Sequence, residues 1–128
     1  MTRKSHEQTN GFVLTRNRAQ DFRHREHVEA AFRLLKRAPF LDAAACYANG
    51  LRELAQEAGA PEKFNLTITI AFLSSIAERL AADPDADWET FITKNSELLD
   101  KHLLRRWYAP DRLRGQAARE HFLMPSAR

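Results

Sequence analysis

The sequence predicts an all-α fold, a single-domain bundle of five or six helices around a central apolar third helix. Three observations lead there. Apolar residues recur at three- and four-residue spacing over most of the chain, as in Val28, Ala31, Phe32 and Leu35. Only four glycines and five prolines interrupt the 128 residues, too few for the turns of a many-stranded protein. The length and the 44% hydrophobic content fit one domain whose core needs neither a disulfide nor a structural metal.

Residues 1–20 read as a flexible polar lead-in that Phe12, Val13 and Leu14 pin to the body, and residues 21–128 as the helical domain. The first helix is expected over 21–37, with Asp21 as N-cap and His24 as the third helical residue. Arg33, Lys36 and Arg37 complement its C-terminal dipole, and Pro39 ends it. The second spans about 40–58, with Leu41, Ala44, Ala48, Leu51 and Ala55 facing inward, Gly59 at C′ and Pro61 beyond. Gly50 inside it points to a close helix contact, since glycine there costs about 1 kcal/mol relative to alanine.

The third helix is expected over 62–82. Its opening, Asn65 to Ile70, alternates and is β-branched, which locally favours a strand. Leu66, Ile70, Leu73, Ile76 and Leu80 nevertheless keep a helical stripe, and a lone strand would have no partner. Asp83-Pro84-Asp85 is a turn, followed by a short helix with Trp88, Phe91 and Ile92 inward. Ser96 caps a small turn into a fifth element lined by Leu98, Leu99, Leu103 and Trp107. A last helix over 111–122 presents Leu113, Ala117, His121 and Phe122.

No apolar run approaches the roughly 20 residues of a membrane span, and no signal peptide is evident, so a cytoplasmic location is the expectation. The single cysteine, Cys46, sits among alanines and reads as a small buried residue. The net charge of +3 is uneven: residues 1–37 carry nine Lys/Arg against four Asp/Glu, residues 38–100 four against eleven, and residues 101–128 seven against two. Basic ends thus flank an acidic middle, either packing against it or offering a surface to an anionic partner.

The strongest chemical signal is His24-x-x-His27, which on a helix sets two imidazoles on one face about one turn apart. Such a pair shares a proton or an anion, or supplies two ligands to a divalent metal, which would need others from elsewhere. It is equally the composition of a solvated first turn. Asn65, Thr67 and Thr69 enter an apolar segment, with Asn65 and Thr69 four apart on one face. As buried polar groups they need partners, the histidines or the preceding helical turn. Arg105-Arg106-Trp107-Tyr108, with Arg112 and Arg114, combines cations and aromatics, either as an anion clamp or as core and solvated charge. A helix-turn-helix fails because Asn65 replaces a packing residue and the recognition face falls in the acidic third. No phosphate loop, nucleophile triad or CxxC pair is present.

The spacing of these residues resembles that of an uncharacterised group of small bacterial all-helical proteins. It is carried by Phe22, His24, His27 and Val28; by Phe64, Asn65, Thr67, Ile68 and Thr69; by Leu98-Leu99-Asp100 and Trp107-Tyr108; and by Arg112-Leu113, Ala118-Arg119, Phe122 and Pro125. The likeness covers about 22–125 and implies no known activity. It implies a histidine at the position of Asn65 in relatives, hence three histidines from two helices. Asparagine, a poor transition-metal ligand, weakens that metal site here.

The expected function is binding of a small polar or anionic molecule in a polar pocket lined by His24, His27, Asn65, Thr69 and Tyr108. In an enzyme, His24 or His27 would be the general base, with Asn65 and Thr69 orienting the substrate. A divalent metal on His24 and His27 stays open. The alternatives are a non-catalytic homodimeric interaction or regulatory module, and nucleic-acid binding through the basic termini.

Overall fold

The structure, a computed structural model, describes residues 20–126, with side chains from Arg23 onward. It is an all-α single domain with no strand among the described residues. The lead-in over 1–19, and its expected pinning by Phe12, Val13 and Leu14, lie outside the described residues.

Helix α1 runs Gln20–Arg37. Asp21 therefore sits within its first turn rather than before it as a cap. Val28, Ala31 and Phe32 bury the expected stripe, and Leu34 joins them. At its C-terminal end Lys36 Nζ donates to the carbonyl oxygens of Pro84 and Ala86, at 2.9 and 3.1 Å, holding the distant acidic turn.

Helix α2 runs Phe40–Glu57, and Gly59 follows at φ 75, the left-handed conformation glycine adopts without strain. The inward face is shifted from the expected one. Ala43, Ala44, Tyr47 and Gly50 are buried, while Leu41 is 80% exposed. This face is built of small residues with Tyr47 supplying its bulk, and the first-turn Phe40 and Leu41 lie outside it.

Helix α3, Leu66–Ala82, starts later than expected because Asn65 is its N-cap, in extended conformation, with Oδ1 accepting from Ile68 N at 2.9 Å. Pro61–Lys63 form a separate 3-10 turn. The strand-like run is helical after all. Phe72, Leu73, Ile76 and Leu80 are buried, and α3 packs against α1, α2 and the C-terminal elements, the central place expected of it.

Helix α4, Trp88–Lys94, is capped by Asp87, whose Oδ1 accepts from Thr90 N at 2.9 Å. Phe32 meets Trp88 and Phe91 at centroid distances of 5.5 and 4.8 Å, joining α1 to α4. Beyond Asn95 the expected fifth helix is replaced by two 3-10 turns, Ser96–Leu99 and Leu103–Arg106. Ser96 is the first residue of its turn and makes no cap. The side chain of Asp100 accepts from His102 N, an Asx turn that competes with helix between them. Leu98, Leu103 and Leu104 are buried, but Trp107 stays 42% exposed and Tyr108 takes the inward position.

The expected helix over 111–122 is two short ones, α5 (Pro110–Arg114) and α6 (Gln116–Glu120), broken at Gly115, which is extended. Glycine is a poor interior helix residue, and the break rotates the second piece. Ala118 rather than Ala117 is buried, and His121 and Phe122 are exposed on the extended segment that follows.

Candidate functional site

The residues expected to line one pocket fall into two places. The first is the N-terminal half of α1. His24 Nε2 lies 2.9 Å from the carbonyl oxygen of Leu98. A carbonyl only accepts, so Nε2 carries the proton and donates. The same ring stands edge-on to Phe72 of α3, with centroids 5.0 Å apart and planes at 80°. His24 thus ties α1 to both the central helix and the first 3-10 turn. One turn on, burial and then the neighbouring charges of His24 and Arg23 hold the His27 imidazole down to about 4. His27 is consequently neutral near pH 7. Its backbone carbonyl accepts a long bond, 3.3 Å, from the buried Tyr47 hydroxyl, whose own ionisation burial pushes up.

Beside this pair lies an open cavity of about 490 Å³ lined by Arg25, Leu99, Asp100, Lys101 and His102. The His24–Leu98 bond brings its two walls together, since Arg25 follows His24 and Leu99 follows Leu98 in the chain. The Arg25 guanidinium lies over the Trp88 ring, 5.4 Å from its centroid, which ties this cation to α4.

The second place is the other end of α3. Asn65 Nδ2 donates to Leu113 O at 2.7 Å while its Oδ1 caps the helix. Thr69 Oγ1 donates back to Asn65 O at 2.7 Å, the intrahelical bond expected of a mid-helix threonine. Thr67, fully buried, donates to His121 O at 2.7 Å and accepts from Leu123 N at 3.0 Å. Tyr108 Oη donates to Leu123 O at 2.8 Å, and Arg112 Nε donates to Met124 O at 2.9 Å. Burial raises the Tyr108 phenol, with Arg112 opposing it. These groups strap the C-terminal segment down.

Asn65 lies seven residues before Phe72, the α3 residue that His24 touches, which is about 10 Å along the helix axis. The structure therefore pairs His24 with His27 and sets Asn65 apart from them; Thr69 is bonded to Asn65, and Tyr108 is bonded to the C-terminal segment instead. Sequence reasoning undervalued Thr67, which makes two of the strap's bonds. The available signal was its place in an apolar helix, where a buried hydroxyl needs partners. Asp100, Lys101 and His102 carried no periodicity that marked them as a cavity wall. Among the described residues no group of three or more His, Cys, Asp or Glu side chains is placed to hold a metal ion. No helix of the described residues is long and apolar enough to cross a membrane.

Comparison with known proteins finds no matching family model, no matching curated protein and no matching solved structure.

Proposed function

We propose that this protein binds a small anionic molecule, of the phosphate or carboxylate class, in the cavity beside His24 and His27. The observation that carries the reading is the convergence of Arg25, Lys101 and His102 on one cavity of about 490 Å³. Guanidinium and ammonium recognise oxyanions by charge-assisted hydrogen bonds, and an imidazole N–H adds a further donor. Arg25 supplies the planar fork suited to bidentate contact. Asp100, whose carboxylate accepts from His102 N, screens part of this charge. His27, held near 4, is a feeble proton acceptor at pH 7, so the reading is binding rather than general-base chemistry.

The test is an NMR titration of the full chain with inorganic phosphate and, separately, citrate. Saturable shifts confined to Arg25, Leu99 to His102 and their neighbours support it. Arg25→Ala should weaken binding about tenfold, and added salt should weaken it further. Unsaturable shifts spread over every basic residue would sink the reading.

A second reading, a non-catalytic homodimeric module, is favoured by exposed large apolar side chains. Leu41 is 80% exposed and Met124 67%, with Phe40, Trp107 and Phe122 partly so. Light scattering between micromolar and millimolar concentration tests it, and an unchanging monomer mass counts against it.

A further inference from the structure

We infer that Thr67, Tyr108 and Arg112 form a groove that reads peptide backbone, and that it takes the 121–124 segment of a second copy of this chain. The inference is independent of the anion cavity.

Three side chains make four hydrogen bonds to the strap, all to its main chain: the carbonyl oxygens of His121, Leu123 and Met124 and the N–H of Leu123. They read no side chain. The strap's own side chains alternate as in an extended strand, with Phe122 and Met124 outward and Leu123 half-buried between them. Backbone bonds that supply affinity, with one inward position that supplies selectivity, are the pattern of strand-type peptide recognition. The reading side is prebuilt, because Thr67 and Tyr108 are buried and sit on the central helix and the turn before α5.

A groove of this kind cannot distinguish its own strap from the identical strap of another molecule. Exchange keeps all four bonds, and only the connection to the body changes. The pivot is Gly115, extended between α5 and α6, so that α6 and 121–124 leave together; His121 is fixed on both sides, its N–H bonded to Ala117 O and its carbonyl to Thr67. Exchange of an identical element is a low-cost route to a dimer. In one molecule the strap's effective concentration is on the order of millimolar, so the single chain keeps its own strap at micromolar concentration and exchanges when the strap is loosened or the protein crowded.

The test uses the full chain carrying Leu123→Pro, which removes the 123 N–H and the inward leucine and so frees the groove. Circular dichroism first establishes that it folds. A fluorescein-labelled peptide spanning residues 118–126 should bind saturably by anisotropy. The peptide N-methylated at Leu123 should bind about tenfold more weakly or worse, whereas serine at Phe122 and Met124 should change affinity by no more than about twofold. Mixing this variant with Thr67→Val, which keeps its strap but has a damaged groove, should give a one-to-one heterodimer by native mass spectrometry, each alone being monomeric. Wild-type protein supplies a check free of variants: millimolar unlabelled peptide should speed hydrogen exchange of the protein's own Leu123 amide about threefold or more. Failure of the folded variant to bind, equal binding of the N-methylated peptide, or affinity that follows Phe122 and Met124 instead overturns the proposal. Where Leu123→Pro does not fold, unchanged Leu123 exchange in the wild type overturns it.

Discussion

Replacing Thr67 by valine should destabilise the fold far more than the same change at Thr69, although both are buried threonines only two residues apart on strand-like sequence. Valine matches threonine in shape, so packing is nearly preserved and the hydroxyl is what is lost. At Thr67 the hydroxyl makes two long-range bonds, to His121 O and from Leu123 N. Each contributes about 1 kcal/mol net. The exposed strap recovers part of this by rehydrating its freed N–H and C=O, which places the loss at about 1–2 kcal/mol. At Thr69 the hydroxyl only shares Asn65 O, which the Thr69 N–H already occupies at 3.0 Å. No backbone group is orphaned there, so the expected change is within about 0.5 kcal/mol. For a domain of this size the first figure lowers Tm by about 4–8 °C and the second by no more than about 2 °C. Thermal unfolding followed by circular dichroism reads both. Hydrogen exchange at Leu123 should rise in Thr67→Val alone. Equal destabilisation, or a larger effect at Thr69, would refute the assignment of the polar groups to the strap.

Asn65→Ala removes both an N-cap and the bond to Leu113 O, and should cost about 1–3 kcal/mol in chemical denaturation, more than Asn65→Asp, which keeps the cap. His27 is neutral in the fold down to about pH 4 and protonates near 6.5 when unfolded. The unfolded chain therefore binds the extra proton between those values, so stability is full above pH 6.5 and declines as pH falls towards 4, by up to about 3 kcal/mol. Denaturation of wild type and His27→Gln at pH 7.5 and 4.5 measures this; a pH slope that His27→Gln leaves intact excludes the imidazole as its source. His24→Ala should lose about 1 kcal/mol through the bond to Leu98 O, with loosening of the Ser96–Leu99 turn visible by exchange. Leu41→Lys, at a position 80% exposed, should leave Tm within about 2 °C, and any larger loss would mean that Leu41 is covered in solution.

The helices that carry the core were legible because burial imposes a period. Val28, Ala31 and Phe32 in α1 and Leu73, Ile76 and Leu80 in α3 are where the 3.6-residue repeat puts them. Two features misled where periodicity competes with small or local terms. In α2 the expected face held at Ala44, but Ala43, Tyr47 and Gly50 share the buried side with it and Leu41 does not. After Asn95 the leucines keep helical spacing, yet the Asx turn at Asp100 and the glycine at 115 divide them into single turns. For the site, the pairing of His24 with His27 is a property of adjacent turns and was readable. Its distance from Asn65 was not, because which end of α3 meets α1 depends on tertiary packing. Asn65 itself was misplaced by four residues of helix boundary, which turned a cap into an apparent pocket wall.

That boundary matters for function. A helix as apolar as α3 carries few polar side chains, and the structure commits Asn65, Thr67 and Thr69 to its own cap, to the strap and to the preceding turn. None of them projects a spare donor towards the histidines. Whatever recognises a ligand beside His24 and His27 must then come from the α1 surface and from the Leu99–His102 segment, where Arg25, Lys101 and His102 line the cavity. The strap rests on bonds from buried groups to backbone, and the cavity wall on the His24–Leu98 bond, the turn at Asp100 and a cation over a ring. Ligand binding at the anion site should further order the Leu99–His102 segment, a change that phosphate-dependent protection of those amides would record.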